Sequence, residues 1–196
     1  MRLILLAPLL AALLAGCASQ PPAPAALPAL PAAPEAVELT AWTLTGKAGL
    51  RVLGQSLSVT YRWQRQGNDY STEAAGPLDQ GHTTLVSRNG FVVLENAWLG
   101  RFESDDAEML AKALTSIAIP FTSLNRWLLG WPADSDTPVR LLQADQGIRE
   151  FDERGWHVRV MAEQNLAGHR LPARVVLSQG DNRINIALAT WTPDTP

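Results

Sequence analysis

The stretch Trp42-Thr43-Leu44-Thr45-Gly46-Lys47-Ala48-Gly49-Leu50-Arg51-Val52 alternates residue by residue, so Trp42, Leu44, Gly46, Ala48, Leu50 and Val52 share one face of an extended chain. A period of two marks a strand with one buried face. Leu57, Val59, Tyr61 and Trp63 repeat the pattern in the next segment. Arg88-Asn89-Gly90 then separates Thr84-Leu85-Val86 from Phe91-Val92-Val93, the clearest hairpin signal in the chain. Near the end, Gly180-Asp181-Asn182 separates Arg174 to Ser178 from Arg183 to Thr190, with Ile184, Ile186 and Leu188 on one side.

Helical spacing occurs only between these two runs of strands. Asp105 and Glu108 are spaced for a capping box, followed by an apolar stripe of Leu110, Ala113, Leu114 and Ile117 that Pro120 stops. A second helix is expected to start at Thr122 or Ser123, bury Leu124, Trp127 and Leu128, and end at Gly130 before Pro132. Strands, a helical pair and more strands predict a mainly β fold: a curved antiparallel sheet or open barrel with a helical lid. Residues 37–196 are enough for one domain with a real core, and they contain no internal repeat.

The first residues are of a different kind. Arg2 precedes an apolar run from Leu3 to Leu14, which fits a secretory signal peptide spanning residues 1–16. The order Leu14-Ala15-Gly16-Cys17 is that of the site where bacterial lipoproteins are acylated on cysteine and cleaved. Cys17 is the only cysteine, so no disulfide forms within one chain. Ala18 follows it, where an aspartate would retain an enteric-type lipoprotein in the inner membrane, so the outer membrane is expected. Residues 17–36 then form an Ala/Pro-rich tether carrying Pro21, Pro22, Pro24, Pro28, Pro31 and Pro34. Its composition favours extended chain, reaching roughly 60 Å at about 3.1 Å per residue. Without residues 1–16 the chain has 15 Lys+Arg against 19 Asp+Glu, a balance that disfavours nucleic acid.

Catalytic signals are missing. His82, His157 and His169 stand in no metal-binding spacing, and there is no nucleophile elbow or phosphate loop. No catalytic residue, metal or cofactor is expected, and the chain does not read as an enzyme. Seven tryptophans, all after the tether, are ordinary core or the lining of a cavity for an apolar ligand. The loop Gly76-Pro77-Leu78-Asp79-Gln80-Gly81 sets one leucine among turn formers. Leu78 either folds back onto the core or projects; composition alone favours folding back.

Several of these residues are placed as in one known family. Asp105-Asp106-Ala107-Glu108, Ile119-Pro120, Leu124, Trp127, Leu128, Gly130 and Pro132 follow in its order, flanked by Gly46, Trp63 and Pro77-Leu78 upstream and by Gly155-Trp156, Leu171-Pro172 and Trp191 downstream. The chain resembles the LolB family of outer-membrane lipoprotein receptors and insertases over nearly the whole domain. The resemblance implies a half-open antiparallel β-barrel, LolA/LolB-like, whose helices enclose a hydrophobic cavity. It implies a function without covalent chemistry: taking lipoprotein acyl chains from a periplasmic LolA-type carrier and releasing them into the outer membrane. It also implies that Leu78, in the Pro77-Leu78 loop, projects and serves delivery to the membrane. Asp79 departs from the family, which frequently has glycine there. The cavity is expected to be lined by Trp63, Leu124, Trp127, Leu128 and Trp156, with the helical pair from Asp105 to Gly130 as its movable part. An accessible cavity favours a monomer. Two other readings stay open: a static lipid-binding or assembly-scaffold lipoprotein of the same fold, and a tethered hydrolase in which a histidine meets buried carboxylates in a cleft.

Overall fold

The computed structural model describes residues 39–52, 54–115, 117–143 and 145–194. The signal peptide, Cys17 and the tether of residues 17–36 lie outside the described residues. The described chain holds β1 (Ala41–Val52), β2 (Gln55–Gln66), β3 (Asp69–Ala75), β4 (Thr83–Arg88), β5 (Phe91–Asn96) and β6 (Gly100–Ser104). Helices α1 (Ala107–Thr115) and α2 (Phe121–Trp127) follow. The chain returns through β7 (Val139–Gln143), β8 (Ile148–Glu153), β9 (Trp156–Leu166), β10 (His169–Gln179) and β11 (Asn182–Pro193).

These strands make one antiparallel sheet in the order β6-β5-β4-β3-β2-β1-β11-β10-β9-β8-β7. The first strand pairs with the last, from Trp42 opposite Pro193 to Arg51 opposite Arg183, which fuses the two meanders. The free edges are β6 and β7, and the segment joining them carries both helices. This connectivity produces the half-open barrel with a helical lid: the helices must bridge the opening because the chain crosses it there.

Short turns fix which end is which. Asn89 and Gly90 both have positive φ, 52° and 80°, as a two-residue type I′ hairpin requires. That turn lies at the same end as Ala41, Pro193 and the β2–β3 turn, where the Gly67 amide donates to the Thr40 carbonyl at 2.8 Å. The β1–β2, β3–β4 and β5–β6 connections lie at the opposite end.

Two irregularities have evident causes. At Gly46 a Cβ would lie 2.0 Å from the Ala187 carbonyl oxygen and 2.8 Å from the Tyr61 hydroxyl, so only glycine fits where the β1–β11 register shifts. Pro172 sits inside β10 at a register shift against β9, where the missing amide donor is tolerated.

Both helix starts differ from the sequence expectation. The cap of α1 is Asp106, whose carboxylate accepts from the amides of Glu108 at 2.9 Å and Met109 at 3.0 Å. The expected box of Asp105 with Glu108 therefore does not form, and Glu108 instead pairs with Arg154 at 2.8 Å. The shift of the helix start rotates the stripe: Leu110, Ala111 and Ile117 are buried and Ala113 is exposed, while the side chain of Leu114 lies outside the described residues. Helix α2 starts at Phe121 because the Pro120 carbonyl accepts the first helical bond, from the Leu124 amide at 3.0 Å. It ends in a Schellman motif, with the Trp131 amide bonded to the Arg126 carbonyl, the Gly130 amide to Trp127, and Gly130 at φ 84°.

Candidate functional site

The concave face of the sheet and the two helices enclose an apolar cavity of about 370 Å³. Leu50, Val59 and Tyr61 supply its floor, with Leu177, Ile184 and Ile186 beside them; Ala111, Phe121, Leu124 and Leu128 form the helical side. Burial pushes the Tyr61 phenol well above its ordinary pKa, so it faces the cavity as a neutral group, donating to the Ala187 carbonyl at 3.3 Å.

Of the five side chains expected to line the cavity, Trp63, Leu124 and Leu128 do so, and Trp127 and Trp156 do not. Trp127 is fully buried behind the lid, its indole N–H bonded to Glu153 and its ring edge-on to Phe151 at 6.4 Å. Trp156 is also buried, its N–H donating to the Ala118 carbonyl at 3.2 Å. Helix α2 is apolar on both sides, because one side meets the cavity and the other the far wall of the barrel; helical spacing alone does not separate the two.

Three buried polar contacts fix α2. Trp63 donates to the Asn125 side-chain oxygen at 2.9 Å, inside a stack in which Trp63 lies 5.7 Å from Tyr70 and 6.1 Å from Phe121. Glu153 accepts from Trp127 and from the amides of Ala133 and Asp134, at 2.9 and 2.8 Å, which holds the chain after the helix. Arg149, 2% exposed, donates to the carbonyls of Gly130 (2.8 Å) and Gly147 (2.9 Å) and to Glu163 (2.6 Å), and its guanidinium lies 4.8 Å above the Trp131 ring. Burial lowers the Arg149 pKa, and the Glu163 hydrogen bond opposes that. Replacing Trp63 by phenylalanine keeps the stack and strips Asn125 of this donor. Urea unfolding is expected to show a loss of about 1–3 kcal/mol, the cost of one buried polar group left unpaired.

The β3–β4 connection forms the rim. Its residues Pro77–Asp79 make a 3₁₀ turn in which Leu78 and Asp79 have φ of 58° and 61°. Two successive left-handed residues, with the loop closed at its base by the Gly76 amide on the Gln80 carbonyl at 2.8 Å, aim Leu78 outward. It is 92% exposed, which overturns the reading from composition that it folds back. A left-handed leucine costs on the order of 1–3 kcal/mol, so the projection is built against a local preference. Asp79 occupies a conformation in which aspartate is tolerated better than most residues, and it pairs with His82 at 3.3 Å.

The three histidines lie on three different parts of the surface. His157 meets Asp152 at 2.9 Å and the buried Glu150 at 3.6 Å, but in an ion-pair network with Arg140 and Arg159 that is separate from the cavity. His169 packs edge-on to Trp191 at 5.0 Å. Among the described residues, none of the three histidines lines the cavity.

With this geometry in hand, comparison with known proteins is direct. The family model described as Outer membrane lipoprotein LolB matches residues 40–191, nearly all of the described domain. The chain belongs to the LolB family. One LolB relative, from Stutzerimonas stutzeri, is 32% identical over 195 residues, covering 96% of this chain and 95% of the relative. A LolB from Pseudomonas paraeruginosa is 35% identical over 159 residues, covering 80% and 76%. Among solved structures, a DUF1329 family protein from Desulfovibrio piger superposes with a TM-score of 0.50 at 8% identity, covering 82% of this chain and 88% of that one, a likeness of fold alone. As a LolB family member the protein is an outer-membrane lipoprotein, a receptor in lipoprotein localisation.

Proposed function

We propose that the apolar cavity receives lipoprotein acyl chains from a LolA-type periplasmic carrier and that the Leu78 loop passes them to the outer membrane, with no covalent step. The observation that carries this reading is the juxtaposition of an apolar cavity under a helical lid with a fully exposed leucine on its rim. In this scheme residues 1–16 are the removed signal peptide, Cys17 carries the anchor, residues 17–36 are the tether, and residues 37–196 bind the cargo as a monomer.

Energetics restrict how the cavity works. Each buried methylene contributes about 0.8 kcal/mol, so a rigid pocket fitted to several chains would hold them almost permanently. A vessel that must empty needs a wall that gives way. The polar anchors of α2 are buried, whereas α1, beside its buried Leu110 and Ala111, has an exposed cap and the surface Glu108–Arg154 pair. The movable wall is therefore α1, narrower than the whole segment from Asp105 to Gly130.

The test is transfer of a purified lipoprotein from its LolA-type carrier to the domain lacking residues 1–17, followed by release into liposomes. Uptake and release by the wild type are expected. A domain that takes up nothing ends the proposal, and one that takes up cargo without releasing it is a static store. A disulfide tying α1 to β6 is expected to block transfer; unimpaired transfer through the locked form removes the gating role of α1.

A further inference from the structure

We infer that the β5–β6 turn, Ala97 to Leu99, is a second bilayer-contacting element acting beside the Leu78 loop, an inference that rests on the delivery reading above. Trp98 is 73% and Leu99 58% exposed, and both line the mouth of the cavity together with Gln80 and Gly81 of the neighbouring loop. A single exposed apolar side chain is ordinary. Here a polar scaffold holds two of them in water. The Asn96 side-chain oxygen accepts from the Trp98 and Leu99 amides, each at 2.9 Å, and its amide nitrogen donates to the Thr83 hydroxyl at 2.7 Å. The Ala97 amide reaches the His82 carbonyl at 2.9 Å, which ties the turn to the end of the Leu78 loop. One face of the Trp98 ring lies against Gly81, where a Cβ would sit 2.8 Å from it. The ring is thus propped outward by its support, with its other side free.

The chemistry of the exposed side chains identifies the occupant. Asp79 is paired with His82, and Arg101 on β6 is held between Glu95 and Glu103. The charged groups beside these two loops therefore have partners, while Arg51 and Arg183 stand exposed at the same end on β1 and β11; what the loops themselves leave unmatched is apolar area. A tryptophan with an apolar body and a polar N–H is suited to the boundary between headgroups and acyl chains, while a bare leucine suits the chains below. The occupant is the phospholipid bilayer to which this lipoprotein belongs. Leu78 and Trp98 then flank the mouth, and an emerging acyl chain passes between them without crossing water.

The test uses the mature lipidated protein in phosphatidylethanolamine/phosphatidylglycerol vesicles with brominated acyl chains, which quench tryptophan on contact. Trp42, Trp63, Trp127, Trp131, Trp156 and Trp191 are all buried, so Trp98 is the indole open to contact quenching. Quenching in the wild type and its loss in Trp98→Phe are expected; absent quenching, or equal quenching in the variant, overturns the inference. In the transfer assay, Trp98→Glu/Leu99→Glu is expected to lower the ratio of delivered to accepted cargo by at least about tenfold, the factor that one large apolar group denied its burial accounts for by itself. Loss of acceptance with an unchanged ratio makes the turn a carrier contact and overturns the inference. If the wild type accepts no cargo, the delivery reading fails, and the quenching result still decides whether the turn touches the bilayer.

Discussion

Replacing Leu78 by glutamate leaves uptake from the carrier near the wild-type level and abolishes release into liposomes. The expectation follows from position. Leu78 is 92% exposed and is absent from the cavity wall, so a charge there removes nothing from the binding volume. Its backbone is held by the Gly76–Gln80 closure and by left-handed φ at residues 78 and 79, neither of which depends on the leucine side chain. What changes is the cost of entering a bilayer: a leucine gains on the order of 1.5–3 kcal/mol from apolar burial, and a carboxylate must be dehydrated or protonated to follow it. The side chains at 78 and 79 then form an acidic pair at the leading edge. A Leu78→Glu variant that releases cargo at the wild-type rate shows that the loop is not the delivering element. Leu78→Met, which keeps the apolar tip, is the control expected to deliver.

The second large effect falls on stability. Arg149→Met is expected to lower the unfolding free energy by about 3–5 kcal/mol, read as a drop in the urea midpoint, because it breaks a buried charge pair from one side. The side chain satisfies the carbonyls of Gly130 and Gly147, pairs with Glu163 and covers the Trp131 ring. Glu163 keeps Arg170 at 2.7 Å, so the carboxylate is not wholly abandoned, but the Gly130 carbonyl just past α2 loses its Arg149 donor. Adding Glu163→Gln should recover part of the loss, since the largely buried carboxylate that has lost Arg149 is then neutral. A loss under about 1 kcal/mol for Arg149→Met would mean that α2 is held by its other anchors alone.

The sequence carried the local geometry well and the long-range geometry poorly, for physical reasons. Alternation in Trp42 to Val52 and the turn at Asn89-Gly90 report conformations set within a few residues, and both strands and turn lie where that pattern places them. Pairing of β1 with β11, from Trp42 opposite Pro193 to Arg51 opposite Arg183, joins the two ends of the domain, and no local signal specifies it. The start of α1 was displaced because Asp105 and Asp106 are chemically equivalent caps and only the packed helix chooses between them, and that of α2 because the Pro120 carbonyl takes the first helical bond. The cavity was legible as an excess of apolar faces, but its membership was not. Trp127 and Trp63 look alike in sequence, and they differ because α2 turns Trp127 toward Glu153 while β2 turns Trp63 toward the lid. Trp98 went unnoticed as a rim residue since its exposure depends on Gly81, a contact across two turns.

The two poles of the barrel have a mechanical consequence. The strand that follows the tether begins at Ala41, at the end opposite Leu78 and Trp98, and the rim lies near the level of Gly49, eight residues along β1. At about 3.3 Å per residue that is roughly 26 Å of barrel wall. On the proposed anchoring through Cys17, the chain enters the domain at the pole opposite the rim. To set the rim on the bilayer the domain must then turn its Ala41 pole toward the periplasm. The two poles thus divide the work, one joined to the membrane through the chain and the other opening to it.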